Sequence, residues 1–136
     1  MPFVLDNSVV SGWYLESQAS AYTESIAARL RDDPAVVPAM WELELTNVLR
    51  TACMRQRLDA QRAQIILSQV ALLPIEVDRH PVPRSEMLAL ALRFSLSSYD
   101  AAYLELALRR QLPIATLDSG LHAAAVACGV GWVADS

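Results

Sequence analysis

The sequence predicts an α/β protein in which a parallel sheet carries helices on both faces. Short apolar runs typical of buried strands alternate with longer segments whose apolar residues recur every three or four positions. Turn residues separate the two kinds of segment, and strands joined through helices normally pair in parallel. No repeat or linker interrupts the 136 residues, so we expect one domain, residues 1–136.

The first half of the chain predicts two strands and four helices. In chain order they are a strand at Phe3–Leu5, helices at Val9–Leu15 and Ala21–Arg31, a strand at Val36–Val37, a helix from Pro38 to about Arg57, and a helix to about Leu72. Pro38 suits the first turn of its helix, because its missing N–H has no partner there anyway. Asp59 is placed to cap the helix that follows it.

The second half predicts three strands and three helices. They are a strand at Ile75–Val77, helices at Arg84–Phe94 and Ser98–Arg110, a strand at Pro113–Leu117, a helix at Ser119–Cys128 and a short strand at Gly131–Ala134. Gly129 is expected to end the last helix, since glycine readily adopts the left-handed conformation found there.

Composition indicates a protein that has no membrane span and has an excess of apolar surface. Hydrophobic residues make up 54% of the chain and the mean hydropathy is +0.26, yet uncharged stretches fall short of a membrane span. The excess suggests self-association. The start of the chain lacks the basic and long apolar segments of a secretory signal, so we expect a cytoplasmic protein.

Charge and residue types exclude several classes of site. The net charge is −4, and all 11 basic side chains are Arg. A P-loop, a phosphoacceptor receiver domain and a haloacid-dehalogenase-like phosphatase each use a Lys that this chain lacks. The Cys and His residues show no zinc-ligand spacing, which argues against zinc.

Four acidic residues lie where a strand-like run meets a helix, or early on such a helix: Asp6, Glu44, Asp100 and Asp118. The carboxyl ends of parallel strands share one edge of a sheet, so these acids can converge there. Clustered carboxylates repel one another unless a cation lies among them, which predicts a divalent-metal site. Helix capping is the alternative for each of them except Glu44.

Glu44 lies inside its predicted helix, where capping cannot explain it. Its helix face is partly apolar and includes Asn47, one turn further on. Glu42 is about 200° around the helix from Glu44, so only one of the two can face the sheet edge. Asn47 favours Glu44, although a solvated helix face carrying both acids is the alternative.

Four segments together resemble the PIN domain of bacterial VapC toxins. They are VLDNSV at 4–9, VPAMWELELTNVL at 37–49, LSSYDAAYLELA at 96–107 and PIATLD at 113–118. The resemblance implies a three-layer α/β/α sandwich around a parallel sheet. It also implies an endoribonuclease that depends on Mg²⁺ or Mn²⁺ and acts as the toxin of a toxin–antitoxin pair.

The resemblance also assigns roles to individual residues. The metal-binding acids of the family match Asp6, Glu44, Asp100 and Asp118, and the supporting positions match Ser8, Asn47 and Thr116. Carboxylate oxygens suit Mg²⁺ or Mn²⁺, which agrees with that assignment. Ser8 as a helix cap and Thr116 as a strand-face side chain are the structural alternatives.

The expected partners are RNA, a VapB-like antitoxin and a second copy of the chain. An acidic nuclease still needs cations for phosphate contacts, and Arg50, Arg55 and Arg57 extend the Glu44 helix. The resemblance implies structured RNA such as tRNA or rRNA, read by shape. Trp13, Tyr14, Trp41 and Trp132 are candidates for an interface, although large aromatics usually belong to the core. A catalytically inactive PIN-like module that binds RNA or protein is the alternative function.

Overall fold

The computed structural model describes residues 1–15 and 20–132, which form alternating strands and helices around one sheet. The strands are β1 (Phe3–Leu5), β2 (Ala35–Pro38), β3 (Ile75–Asp78) and β4 (Ile114–Ala115). The helices are α1 (Asn7–Tyr14), α2 (Ala21–Leu30), α3 (Trp41–Met54), α4 (Ala60–Val70), α5 (Arg84–Phe94), α6 (Ser98–Arg110) and α7 (Ser119–Ala127). The predicted α/β class is confirmed.

The four strands of the described residues form a parallel sheet in the order β3–β2–β1–β4. The chain moves from β1 to one side of the sheet to form β2 and β3, and later returns to the other side to form β4. This reversal opens a crevice beyond the carboxyl ends of β1 and β4, where open α/β folds place their sites. The residues that follow these two strands are therefore brought together.

The sheet is the middle layer of an α/β/α sandwich. All residues of β1 are buried, as expected for a parallel strand covered by helices on both faces. Helix α6 packs against β1, β2 and β4, and Tyr103 on this helix is the largest of the fully buried side chains. Within the described ranges, no helix has the length and apolar character required to cross a membrane.

Helices α5 and α6 have the predicted bounds, but the prediction around α3 is wrong at both ends. Pro38 is the last residue of β2 and lies opposite Asp78 of β3, so the chain is still extended there. It must turn before α3 can begin at Trp41. The helix ends at Met54, because Gln56 adopts a left-handed conformation with φ of 59°. Arg57 consequently lies beyond the helix.

The end of the described chain agrees with the prediction as far as it can be followed. Gly129 ends α7 with a φ of 77°, a conformation that favours glycine. Gly131 then forms a parallel bridge with Ile114, beside β4. Residues 133–134 of the predicted final strand lie outside the described residues.

Candidate active site

The fold brings the four predicted acids to the carboxyl edge of the sheet. Asp6 directly follows β1, and Asp118 follows β4 at the start of α7. Glu44 and Asp100 lie in the first turns of α3 and α6. Asp6 interacts electrostatically with each of the other three, and Asp100 also interacts with Glu44 and Asp118. Residues up to 112 positions apart in the sequence, from Asp6 to Asp118, therefore share one electrostatic environment.

Asp6 is a buried carboxylate held by two hydroxyl groups. Asp6 is only 5% exposed. Its Oδ2 accepts hydrogen bonds from Thr116 Oγ1 at 2.6 Å and from Ser8 Oγ at 2.8 Å. Although Asp6 occupies the N-cap position of α1, its side chain makes no capping hydrogen bond. Capping therefore does not explain this acid.

Ser8 and Thr116 also join the two strand ends to each other. The backbone N–H of Leu117 donates to Ser8 Oγ at 2.9 Å, and that of Asp118 donates to Thr116 Oγ1 at 3.0 Å. Each hydroxyl thus donates a hydrogen bond to the Asp6 carboxylate and accepts one from a backbone N–H of the segment after β4. The two side chains fix the β1 and β4 ends relative to one another around the carboxylate.

Capping accounts for part of Asp118 but not for the carboxylate of Asp100. Asp118 Oδ2 accepts the backbone N–H of Leu121 at 2.8 Å, which caps α7 and engages one of its two carboxylate oxygens. At α6 the capping group is Ser97, whose Oγ accepts the backbone N–H of Asp100 at 3.1 Å. The Asp100 side chain is half-buried, and the neighbouring charges of Asp118 and Asp6 raise its pKa.

Glu44 faces the protein and Glu42 faces solvent. Glu42 is exposed and pairs with Arg79 at 2.6 Å, whereas Glu44 is half-buried and its Oε1 accepts the hydroxyl hydrogen of Tyr103 at 2.6 Å. Tyr103 is not among the site residues predicted from the sequence. Its position three residues after Asp100, one turn along the same helix face, is the signal that could have identified it.

Burial and mutual repulsion disfavour ionisation of Asp6, Glu44 and Asp100. Burial is the largest cause of the raised pKa of Asp6, Glu44 and Asp100, and neighbouring carboxylates raise each pKa further. The hydroxyl hydrogen bonds from Thr116 and Ser8 oppose this effect at Asp6. A cation among the acids would relieve the repulsion that the hydroxyls cannot remove.

The donor set fits a hard divalent cation. Four carboxylates and two hydroxyls supply the oxygen ligands that Mg²⁺ and Mn²⁺ prefer. Asn7, next to Asp6, is also buried, and neither atom of its side-chain amide has a hydrogen-bond partner within the described residues. Among the residues that the structure describes, however, no group of three or more His, Cys, Asp or Glu side chains is already arranged to enclose a metal. The acids interact electrostatically in pairs without forming a closed site.

A groove beside Glu44 contains one of the three predicted arginines. This Glu44 groove has a volume of about 690 Å³ and is lined by Met40, Leu43, Glu44, Thr46, Asn47, Arg50 and Tyr99. Asn47 is exposed, and no hydrogen bond joins it to Glu44 in the described structure. Arg55 and Arg57 are exposed in a neighbouring groove of about 170 Å³, so Arg50 is the arginine that shares a surface with the acid.

Comparison with known families agrees with the fold and covers the whole of this site. Residues 3–127 match the family model described as PIN domain. The chain belongs to the PIN domain family. All four acids, Ser8, Asn47 and Thr116 lie within the matched residues.

Relatives of this PIN domain include a named ribonuclease and a solved structure. Ribonuclease VapC12 of Mycobacterium tuberculosis, from strains CDC 1551 / Oshkosh and H37Rv, is 29% identical over 118 residues, which cover 87% of this chain and 88% of the relative. The crystal structure of PAE2754 from Pyrobaculum aerophilum matches with a TM-score of 0.65 at 20% identity, covering 91% of this chain and 84% of that one. The second likeness supports the fold.

Proposed function

We propose that this PIN domain is an Mg²⁺- or Mn²⁺-dependent endoribonuclease and the toxin of a VapBC-like toxin–antitoxin pair. Its substrate would be a structured RNA such as tRNA or rRNA. The observation that carries the proposal is the convergence of four carboxylates at the crevice between β1 and β4. Similarity to a protein named as a ribonuclease supports the same reaction class.

In this proposal Asp6, Glu44, Asp100 and Asp118 hold the cation through their carboxylate oxygens. When bound, the cation supplies a more acidic water for attack on phosphorus and offsets charge on the leaving oxygen. Thr116 and Ser8 keep the Asp6 carboxylate in one orientation through hydrogen bonds of 2.6 and 2.8 Å. The N-cap bond of Asp118 to Leu121 restrains the acid on the opposite side of the crevice.

RNA contacts are proposed on the Glu44 groove. Arg50 would hold a phosphate flanking the cleaved bond, because it is an exposed cation on the same surface as Glu44. Arg55 and Arg57, which line the neighbouring groove, would contact parts of the RNA further from the acids. With a net charge of −4, the protein depends on such local cations and on the metal to attract a polyanion.

Protein partners are proposed to be a VapB-like antitoxin and a second copy of the chain. The four aromatic candidates are not free surface: Trp41 is buried, and Trp13, Tyr14 and Trp132 pack against the core. Exposed apolar side chains lie elsewhere, including Leu43 and Tyr99 in the Glu44 groove and Leu88 and Leu92 on α5. These surfaces are the ones available for association.

The enzyme proposal is tested by cleavage of total cellular RNA with added Mg²⁺ or Mn²⁺. Asp6→Asn and Asp100→Asn should each reduce the rate at least about 100-fold, because each removes a carboxylate that would hold the cation offsetting charge at the reacting phosphate. Asp32→Asn, an exposed acid in the turn after α2, is the matched control and should cleave like the wild type. Equal cleavage by the wild type and both site variants would reveal a contaminating nuclease and reject the proposal.

The second candidate function is an inactive PIN-like module that binds RNA or protein. It is favoured by the absence, within the described residues, of acids already closed around a metal position. RNA binding without metal-dependent cleavage would support this alternative. Expression without an antitoxin separates the two in cells: the toxin should arrest growth and Asp6→Asn should restore it, whereas an inactive module should leave growth unchanged in both cases.

A further inference from the structure

We propose that Tyr103 is a positioning residue that orients the Glu44 carboxylate toward the cation. The inference rests on the proposed metal-dependent function and deepens it. Tyr103 would act through Glu44 and would not touch the substrate. Its phenol occupies one carboxylate oxygen and leaves the other for the metal.

The contact between these two side chains is short, and its phenol partner is buried. Tyr103 is 0% exposed, and its hydroxyl donates to Glu44 Oε1 at 2.6 Å across 59 positions of sequence. A hydrogen bond to an ionised carboxylate is stronger than one between neutral groups. Because the phenol ring is locked in the core, it provides a rigid anchor for a flexible Glu side chain.

The hydrogen bond from Tyr103 engages one of the two carboxylate oxygens of Glu44. Because Oε1 accepts the phenol hydrogen, Oε2 is the oxygen with free acceptor capacity. Without this bond, Glu44 could rotate into the adjoining Glu44 groove, which is wide enough to contain its carboxylate.

Tyr103 also connects the elements that carry the acids. Its hydroxyl bonds to Glu44 in the first turn of α3. Asp100 lies one turn before Tyr103 on α6, and Glu44 is on α3. One phenol therefore joins the start of α3 to α6, so the relative placement of Glu44 and Asp100 depends on it.

The experiment compares Mn²⁺ binding by the wild type and Tyr103→Phe without RNA, using the electron paramagnetic resonance signal of free Mn²⁺. Removing the hydroxyl should weaken binding about 10-fold, the lower end of the effect expected for groups that orient metal ligands. Tyr14→Phe is the control, because it removes a phenol from a half-buried ring at the end of α1. Far-UV circular dichroism and thermal unfolding verify that each variant is folded.

A double-mutant cycle separates positioning from a general structural role. Glu44→Gln should weaken Mn²⁺ binding, and adding Tyr103→Phe should weaken it no further, because the hydroxyl acts through Glu44. Additive losses would overturn the inference. In RNA cleavage, Tyr103→Phe should lower kcat with KM unchanged, and excess Mn²⁺ should partly restore the rate.

The outcomes distinguish this inference from the function on which it rests. Equal Mn²⁺ affinity of the wild type and Tyr103→Phe, when Asp6→Asn abolishes binding, would overturn the positioning role alone. Failure of the wild type to bind Mn²⁺, together with absence of metal-dependent cleavage, would overturn both proposals.

Discussion

Asp6 shows how a buried carboxylate is kept usable in the core of a small protein. Burial alone would favour the neutral form, and an unpaired charge there would cost several kcal/mol. The hydroxyls of Thr116 and Ser8 supply two donors, and neither introduces a compensating positive charge. The carboxylate is therefore oriented by neutral groups and remains available to a cation.

Replacement of Thr116 by Val should destabilise the protein by about 1–3 kcal/mol, the cost of leaving a buried acceptor without its donor. Val preserves the volume of Thr and its preference for extended backbone. Chemical unfolding at pH 7 measures the loss. Thr46→Val is the matched control, because Thr46 is exposed and its hydroxyl bonds to the Leu43 carbonyl of its own helix. Equal unfolding free energies for the two variants would contradict the importance assigned to the Asp6 contact.

Helix α6 is tied to the edge strand β3 by a group of ion pairs. Arg109 donates through Nη1 and Nη2 to the two oxygens of Asp78, at 3.1 and 2.9 Å, and through Nε to Glu105 at 2.6 Å. Arg110 reaches Glu76 of β3 at 3.1 Å. Since β3 is only half-buried, these bonds hold the edge of the sheet against the helix that carries Asp100 and Tyr103.

The Asp78–Arg109 pair predicts a stability difference that depends on pH. The hydrogen bonds from Arg109 lower the pKa of Asp78 below the ordinary value of 3.8 for an Asp side chain. The contribution of Asp78 to the free energy of unfolding is therefore complete above its unfolded-state pKa. It is lost as the pH falls through the lower folded-state pKa. Asp78→Asn should cost about 1 kcal/mol at pH 7, and this cost should shrink toward zero as the pH falls below about 3.8.

Urea unfolding of the wild type and Asp78→Asn across this pH range provides the measurement. Glu76→Gln is the control, because Glu76 has a single contact with Arg110 and is more exposed than Asp78. Its substitution should change stability little at any pH. An Asp78→Asn effect that grows toward acid would reverse the predicted sign.

The proposed homodimer is supported by apolar side chains exposed on α5. Leu88 and Leu92 lie one turn apart on α5 and are 59% and 71% exposed. Exposed apolar pairs of this kind on a chain with mean hydropathy of +0.26 are typical of an interface. The proposed homodimer would bury them.

Sedimentation velocity should therefore detect a dimer of the wild type, and Leu88→Lys with Leu92→Lys should convert it to a monomer. Two charges placed in an apolar interface would each need to be desolvated without a partner. Leu72→Lys is the control, since Leu72 is 86% exposed in the turn after α4. A dimer that persists in the double variant would exclude α5 from the interface.

Local sequence pattern was sufficient for much of the architecture. The bounds of α5 and α6, the alternation of strands with helices and the cap at Asp59 follow from apolar spacing and from terminal residues. These signals act between residues within one or two turns of each other. Pro38 shows their limit, because pairing of β2 with β3 keeps it extended where the local preference predicts a helix start.

The placement of the four acids along the chain could also be read from the sequence, together with the resemblance to PIN domains. The contacts that surround these acids could not be read from the sequence. Thr116 reaches Asp6 across 110 positions and Tyr103 reaches Glu44 across 59, and both contacts depend on the strand order that sets β4 beside β1 and packs α6 over them. Hydrogen bonds between distant residues require the packed core to bring their atoms within about 3 Å, and no local periodicity encodes that distance.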